Sequence, residues 1–118
     1  MINERKKFLI KRVIALLKLK IKWKKRNQHN MTYLTNLCDI EQIHVGRYTY
    51  GPIYVETFGC ENTKLIIGQF CSVAQNVRFV LGGEHRLDCI STYPFQAKVL
   101  KKEGDTQAKG NIIVNDDV

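Results

Sequence analysis

The hydrophobic positions of this chain follow two different periods, and the change falls near residue 30. Over residues 4 to 25, Ile10, Val13, Ile14, Leu17 and Ile21 recur at helical spacing while Lys7, Lys11, Lys18, Lys22 and Lys25 gather on another face, which predicts an amphipathic α-helix. Leu9, Leu16 and Trp23 widen the apolar side, whereas Phe8 and Leu19 fall outside it. Asn27 to Asn30 is a polar break that ends the helix. From Tyr33 onward the apolar runs are short and punctuated by glycine, with no helical period, so this part reads as strands and turns. The division predicts a helix and linker over 1–30 and a second unit over 31–118.

Within the second unit the period is six. Ile67-Gly68-Gln69-Phe70-Cys71-Ser72, then Val73-Ala74-Gln75-Asn76-Val77-Arg78, then Phe79 place an aliphatic or aromatic residue at every sixth position, with Cys71 or Val77 four residues on. Val45-Gly46-Arg47-Tyr48-Thr49-Tyr50 has the same shape. Val114-Asn115-Asp116-Asp117-Val118 reads as another start, with asparagine in place of glycine; both tolerate left-handed backbone angles, so the turn chemistry is kept. A six-residue period means a short flat strand followed by a tight turn, stacked so that neighbouring coils bury each other's apolar row. An antiparallel sheet whose strands share a spacing is the alternative reading of the same residues.

Charge changes the picture only for the first unit. The chain of 118 residues carries +8, but eleven cations from Arg5 to Arg26 face Glu4 alone, giving residues 1–26 a charge of +10 and leaving −2 on the rest. The body is near neutral, which argues against a nucleic-acid-binding domain; a basic amphipathic helix over 4–25 fits peripheral contact with an anionic membrane surface or docking on protein. Cys38, Cys60, Cys71 and Cys89 form no C-x-x-C pair and no zinc-ligand spacing, and no secretory signal precedes them. No metal site is expected, and the thiols read as reduced, in the cytoplasm. The apolar run Val13 to Leu17 is too short for a membrane span.

Between Val80 and Ile113 the six-residue register breaks, and an excursion of this length from a regular stack is where function is usually placed. The break holds Leu81-Gly82-Gly83-Glu84-His85-Arg86-Leu87-Asp88-Cys89-Ile90-Ser91-Thr92-Tyr93-Pro94-Phe95. Together with Ile67-Gly68-Gln69-Phe70-Cys71-Ser72-Val73-Ala74, it resembles the xenobiotic acetyltransferase branch of the hexapeptide-repeat acetyltransferases, which includes chloramphenicol, streptogramin and polysaccharide O-acetyltransferases. The resemblance runs from about Val45 to Val118. It implies a mainly β chain: an incomplete left-handed parallel β-helix preceded by the N-terminal helix, with an active-site loop over 80–111. It also implies a homotrimer with active sites between subunits.

The resemblance gives His85 the role of general base. Neutral imidazole suits that role, since it can take the proton of an acceptor hydroxyl as the oxygen attacks the thioester of acetyl-CoA. Its other ring nitrogen needs an acceptor to fix the tautomer, for which Glu84, Asp88 or a backbone carbonyl are candidates. Gly82 and Gly83 are expected to let the chain leave the coil through unusual backbone angles and Pro94 to stiffen the far side of the loop. Tyr50, Tyr93 and Phe95 would line an acceptor pocket by resemblance, with packing inside the loop as the plain alternative. His29 and His44 lack such context and read as structural; Cys71 reads as core. A nucleophilic role for Cys89 has no helix or second cation to support it.

Members of the family continue past the motif at Val114–Val118 with W-I-G and further coils that bind the pantetheine and adenine ends of acetyl-CoA. The resemblance therefore implies a chain truncated within the domain, either a fragment or a degraded copy. The expected activity is transfer of acetyl from acetyl-CoA to a hydroxyl on a surface or capsular polysaccharide sugar, a choice the basic helix favours. The alternatives are an antibiotic hydroxyl as acceptor, or a non-catalytic assembly or membrane-binding module.

Overall fold

The structure, a computed structural model, describes residues 1–103 and 107–118. Helix α1, Glu4–Arg26, starts on Asn3, whose side chain accepts from the Lys6 backbone N–H, and closes with Lys24, Lys25 and Arg26 in its last turn, cation placement that suits the negative end of the helix dipole. Among the described residues seven short strands follow: β1 Met31–Leu34, β2 Ile43–Val45, β3 Tyr50–Ile53, β4 Val55–Glu56, β5 Leu65–Ile67, β6 Phe79–Val80 and β7 Ile112–Val114. A short helix α2, Phe95–Lys98, lies in the loop before β7.

Among the described residues all strand pairs are parallel, which excludes the antiparallel alternative. They form three separate sheets, β1–β3, β2–β5–β7 and β4–β6. The chain visits these faces in a recurring order. After β1, Asn36 mimics a strand beside β4, its side chain donating to the Val55 carbonyl at 2.8 Å and accepting from the Val55 N–H at 3.1 Å. Then come β2 on the second face, β3 on the first and β4 on the third, followed by β5. Ser72 bridges to Tyr50 on the first face, and β6 returns to the third. Ile43 pairs with Leu65 and Leu65 with Ile112, so one step takes 22 residues and the next 47; the surplus is the loop.

The core runs through the middle of this stack: Leu34, Ile40, Ile43, Val45, Ile53, Val55, Leu65, Ile67, Cys71 and Leu81 are buried. Each such aliphatic side chain contributes on the order of 2 kcal/mol by burial. Cys71 is inward, as its place in the six-residue pattern predicts; Val77, the corresponding residue one repeat later, is instead on the surface. Two buried threonines are paired to backbone groups. Thr49 Oγ1 donates to the Gly68 carbonyl at 2.7 Å and accepts from the Cys71 N–H at 3.1 Å, and Thr63 Oγ1 donates to the Leu81 carbonyl at 2.9 Å.

The corners correct the expectation for glycine. Gly46 and Gly68 do not adopt left-handed angles; the left-handed residues are Tyr48, Phe70 and Asp117, two positions on in the three equivalent corners, each with φ of 60°. Glycine is needed for space instead. A Cβ on Gly46 would lie 2.5 Å from the Gly68 carbonyl carbon, and one on Gly68 would lie 2.8 Å from the Asp116 backbone nitrogen, closer than real carbon contacts. Tyr48 and Phe70 stack with ring centroids 5.4 Å apart and planes within 7°, joining successive corners on the outside.

Helix α1 docks on β1 through the Trp23 flank of the expected apolar side and not through its main row. Trp23 is buried, and Leu19, which the sequence pattern left outside the apolar face, packs against the core. The Trp23 indole N–H donates to the Thr32 carbonyl at 3.2 Å. Met31 and Thr35 use the β3 side of the strand, so the Thr32 carbonyl points to the side without a partner strand, and α1 covers that open edge. The polar break is the joint. Asn27 donates to the Trp23 carbonyl, Asn30 to Asn27 Oδ1, and Thr32 donates its N–H and hydroxyl to Asn30 Oδ1. Arg26 adds an ion pair to Glu41 at 2.8 Å.

Candidate active site

The loop leaves the stack after β6 through two glycines that are glycine for different reasons. Gly83 has φ of 81°, the unusual angle expected of it, and a Cβ there would also lie 2.7 Å from Phe58 Cγ. Gly82 has no such angle; a Cβ on it would lie 2.6 Å from the Thr57 carbonyl oxygen and against Cys60, so its smallness lets the exiting chain rest on the 57–60 turn. That gives Cys60, unexplained by the sequence, a packing role. The two ends of the loop are tied by Glu84 and Gln107, which exchange backbone hydrogen bonds at 3.0 Å. Residues 104–106, within the loop expected over 80–111, lie outside the described residues.

His85 follows this tie directly and is exposed. It makes no hydrogen bond to a described residue. Of the two carboxylates considered for orienting it, Asp88 is held by Arg86, whose Nε and Nη2 donate to its two oxygens at 2.9 and 2.6 Å. That guanidinium is the main reason the Asp88 carboxyl sits below the usual carboxylate range. Glu84 Oε2 faces Lys109 as an ion pair at 3.4 Å; the same oxygen is shielded from solvent and accepts no hydrogen bond among the described residues. The role of Arg86 went unread in the sequence, although an Arg two residues before an Asp in an exposed loop is the pattern that produces this fork.

Beyond His85 the loop folds into a cleft of about 320 Å³ lined by Arg86, Cys89, Ile90 and residues 91–96. Tyr93 and Phe95 meet edge to face at 4.7 Å, and Pro94 caps the start of α2. Both aromatics remain about half exposed, at 52% and 53%, so they pack on each other and still present surface. Tyr50 is not gathered with them; it stands on β3, opposite Met31 and Ser72, and is equally exposed. Cys89 is exposed, with its thiol 3.9 Å from Asp88. His29 bonds to the Val45 carbonyl at 2.8 Å and His44 lies in β2 opposite Ile66, structural places for both.

An exposed imidazole at the start of a long loop, one residue before the first lining residue of an aromatic cleft, is compatible with many reactions. The chain is 40% identical over 62 residues to a probable macrolide acetyltransferase of Lysinibacillus sphaericus, covering 47% of this chain and 34% of that protein. This relative and the two that follow are named as acetyltransferases. A chloramphenicol acetyltransferase of Escherichia coli is 29% identical over 104 residues, covering 72% of this chain and 50% of the relative. A virginiamycin A acetyltransferase of Staphylococcus aureus is 32% identical over 80 residues, covering 59% and 36%. The chain thus spans between a third and a half of the length of these relatives. No family model and no solved structure matches the chain.

Proposed function

We propose that this chain carries the acceptor-side machinery of an acetyltransferase that moves acetyl from acetyl-CoA to a hydroxyl of an antibiotic-type small molecule. The observation that carries the reading is the position of His85, exposed and without a hydrogen bond to a described residue where the loop leaves the parallel stack, one residue before Arg86 at the wall of an aromatic cleft. The names of the relatives favour an antibiotic over the polysaccharide sugar that the sequence suggested.

The chemistry follows from the residues. The imidazole of His85 takes the proton of the acceptor hydroxyl, the oxygen forms its bond to the thioester carbonyl carbon, and the carbon–sulfur bond breaks as the thiol of coenzyme A leaves with the proton returned by the imidazolium. Glu84 is the better orienting partner, since its Oε2 meets Lys109 only as an ion pair at 3.4 Å, without a hydrogen bond, while both oxygens of Asp88 accept hydrogen bonds from Arg86. The cleft suits a small, largely apolar acceptor. Its cation, Arg86, is already neutralised by Asp88, so the cleft does not fit the phosphate-bearing end of acetyl-CoA, and no step is assigned to that end.

In this reading the recurring order of the three parallel sheets is that of a left-handed β-helix with six-residue sides. Leu87, Ile90, Val99 and Leu100 on the loop, all more than half exposed, are covered by neighbouring subunits of a homotrimer. Such an arrangement would bring a Tyr50 to the Tyr93 and Phe95 of another subunit. The test is release of free coenzyme A thiol from acetyl-CoA by the 118-residue chain with chloramphenicol, a macrolide or virginiamycin A as acceptor, against an acetylatable polysaccharide. Release with a drug supports the reading; release with the polysaccharide alone overturns the choice of acceptor.

A further inference from the structure

Helix α1 has two apolar faces, and the body of the protein uses only one. Trp23 and Leu19 pack against the core, and Leu16, half-buried, lies on the same side of the helix. Ile10, Val13, Ile14, Leu17 and Ile21 form a separate row in which every side chain is 47% to 59% exposed. At 3.6 residues per turn the centres of the two sets lie about 140° apart around the helix. The row therefore faces away from the body, and residues 4–15 are exposed along their whole length. Lys20 borders the row on one side and Lys7, Lys18 and Lys25 on the other, while Lys6 and Lys24 fall within it near its ends.

Charge decides what such a row can meet. The helix segment carries +10 and the rest of the chain −2, so the body of a second copy offers no strongly acidic surface, and the helix of a second copy would set like charges together. A nucleic acid would engage the lysines and leave five aliphatic side chains in water. An anionic lipid surface satisfies both, with the aliphatic side chains in the acyl boundary and the lysine stems reaching back to headgroup phosphates. Among the described residues no helix is long and apolar enough to cross a membrane.

We propose that α1 lies flat on an anionic membrane surface, outer row down, while its Trp23 face stays docked on β1. The helix then tethers the β stack to the bilayer without undocking, independently of the reaction the loop performs.

The experiment is co-sedimentation of the full chain with vesicles of phosphatidylglycerol and phosphatidylcholine in roughly equal parts, against phosphatidylcholine alone. The wild type should sediment with the anionic vesicles and not with the neutral ones, and less so as salt rises. Val13→Asp with Leu17→Asp should weaken binding by roughly tenfold or more, and Lys18→Gln with Lys25→Gln should also weaken it. Trp23, the chain's single tryptophan, reports folding: its emission should be the same in both variants and in vesicle-bound wild type. The proposal is overturned if the wild type ignores anionic vesicles, or if the Asp variant binds them as well as wild type and attraction is charge alone. It also fails if the Asp substitutions change only self-association of the chain or its binding to RNA.

Discussion

Gly59 and Gly83 share a backbone angle, φ of 81°, but only Gly83 has a neighbour in the way, with Phe58 Cγ 2.7 Å from where a Cβ would sit. Gly59→Ala should therefore cost about 1 kcal/mol, the price of the angle alone, and Gly83→Ala a further 1–3 kcal/mol or so from the clash. Urea unfolding of the two variants measures both, and equal costs would mean that Phe58 swings aside. Cys38 gives a pH test. Burial, and then the charge of Asp39, push its thiol from 9.0 up to about 11. The folded state thus favours the neutral thiol, and stability present below pH 9 is lost as pH rises toward 11. Melting curves across that range should show a fall that Cys38→Ala reduces. Cys71 was legible as core from its place in the repeat. The true reason for Gly46 and Gly68 was not, because close approach of two backbones leaves no mark in the sequence beyond the glycine itself.

At the scale of elements, the six-residue period announced the strands because one row of each is buried against the next, and the break after Val80 announced the loop because its residues have no such row to join. Docking on protein was one of the readings the sequence offered for α1, but the face that docks was not legible. Two apolar stripes on one helix give a pattern that marks both and assigns neither, so the outward row was read as the main face and Leu19 as outside it. The structure predicts an asymmetry that mutation can measure. Trp23→Ala should cost about 3–5 kcal/mol, since the ring is 1% exposed and bonded to Thr32, while Leu17→Ala should fall within about 0.5 kcal/mol of wild type. Asn36→Ala, removing both hydrogen bonds of the strand mimic to Val55, should cost about 1–3 kcal/mol. Circular dichroism during urea unfolding reads all three, and similar costs for Trp23→Ala and Leu17→Ala would refute the docking.

The molecule as a whole measures 48 × 45 × 22 Å, with a narrow core and a loop whose apolar side chains face outward. The pieces of the site were legible as a motif, Gly-Gly-Glu-His, but their arrangement was not, because the Arg86–Asp88 fork and the Glu84–Gln107 tie depend on how the loop folds back. Tyr50 stands apart from Tyr93 and Phe95 in the single chain, on β3 opposite Met31 and Ser72, a separation the sequence order did not reveal. Removing the imidazole addresses the central claim most directly. With whichever acceptor supports release of coenzyme A, His85→Ala should lower the rate by roughly 100-fold to 10,000-fold with the fold intact. An undiminished rate would contradict the account.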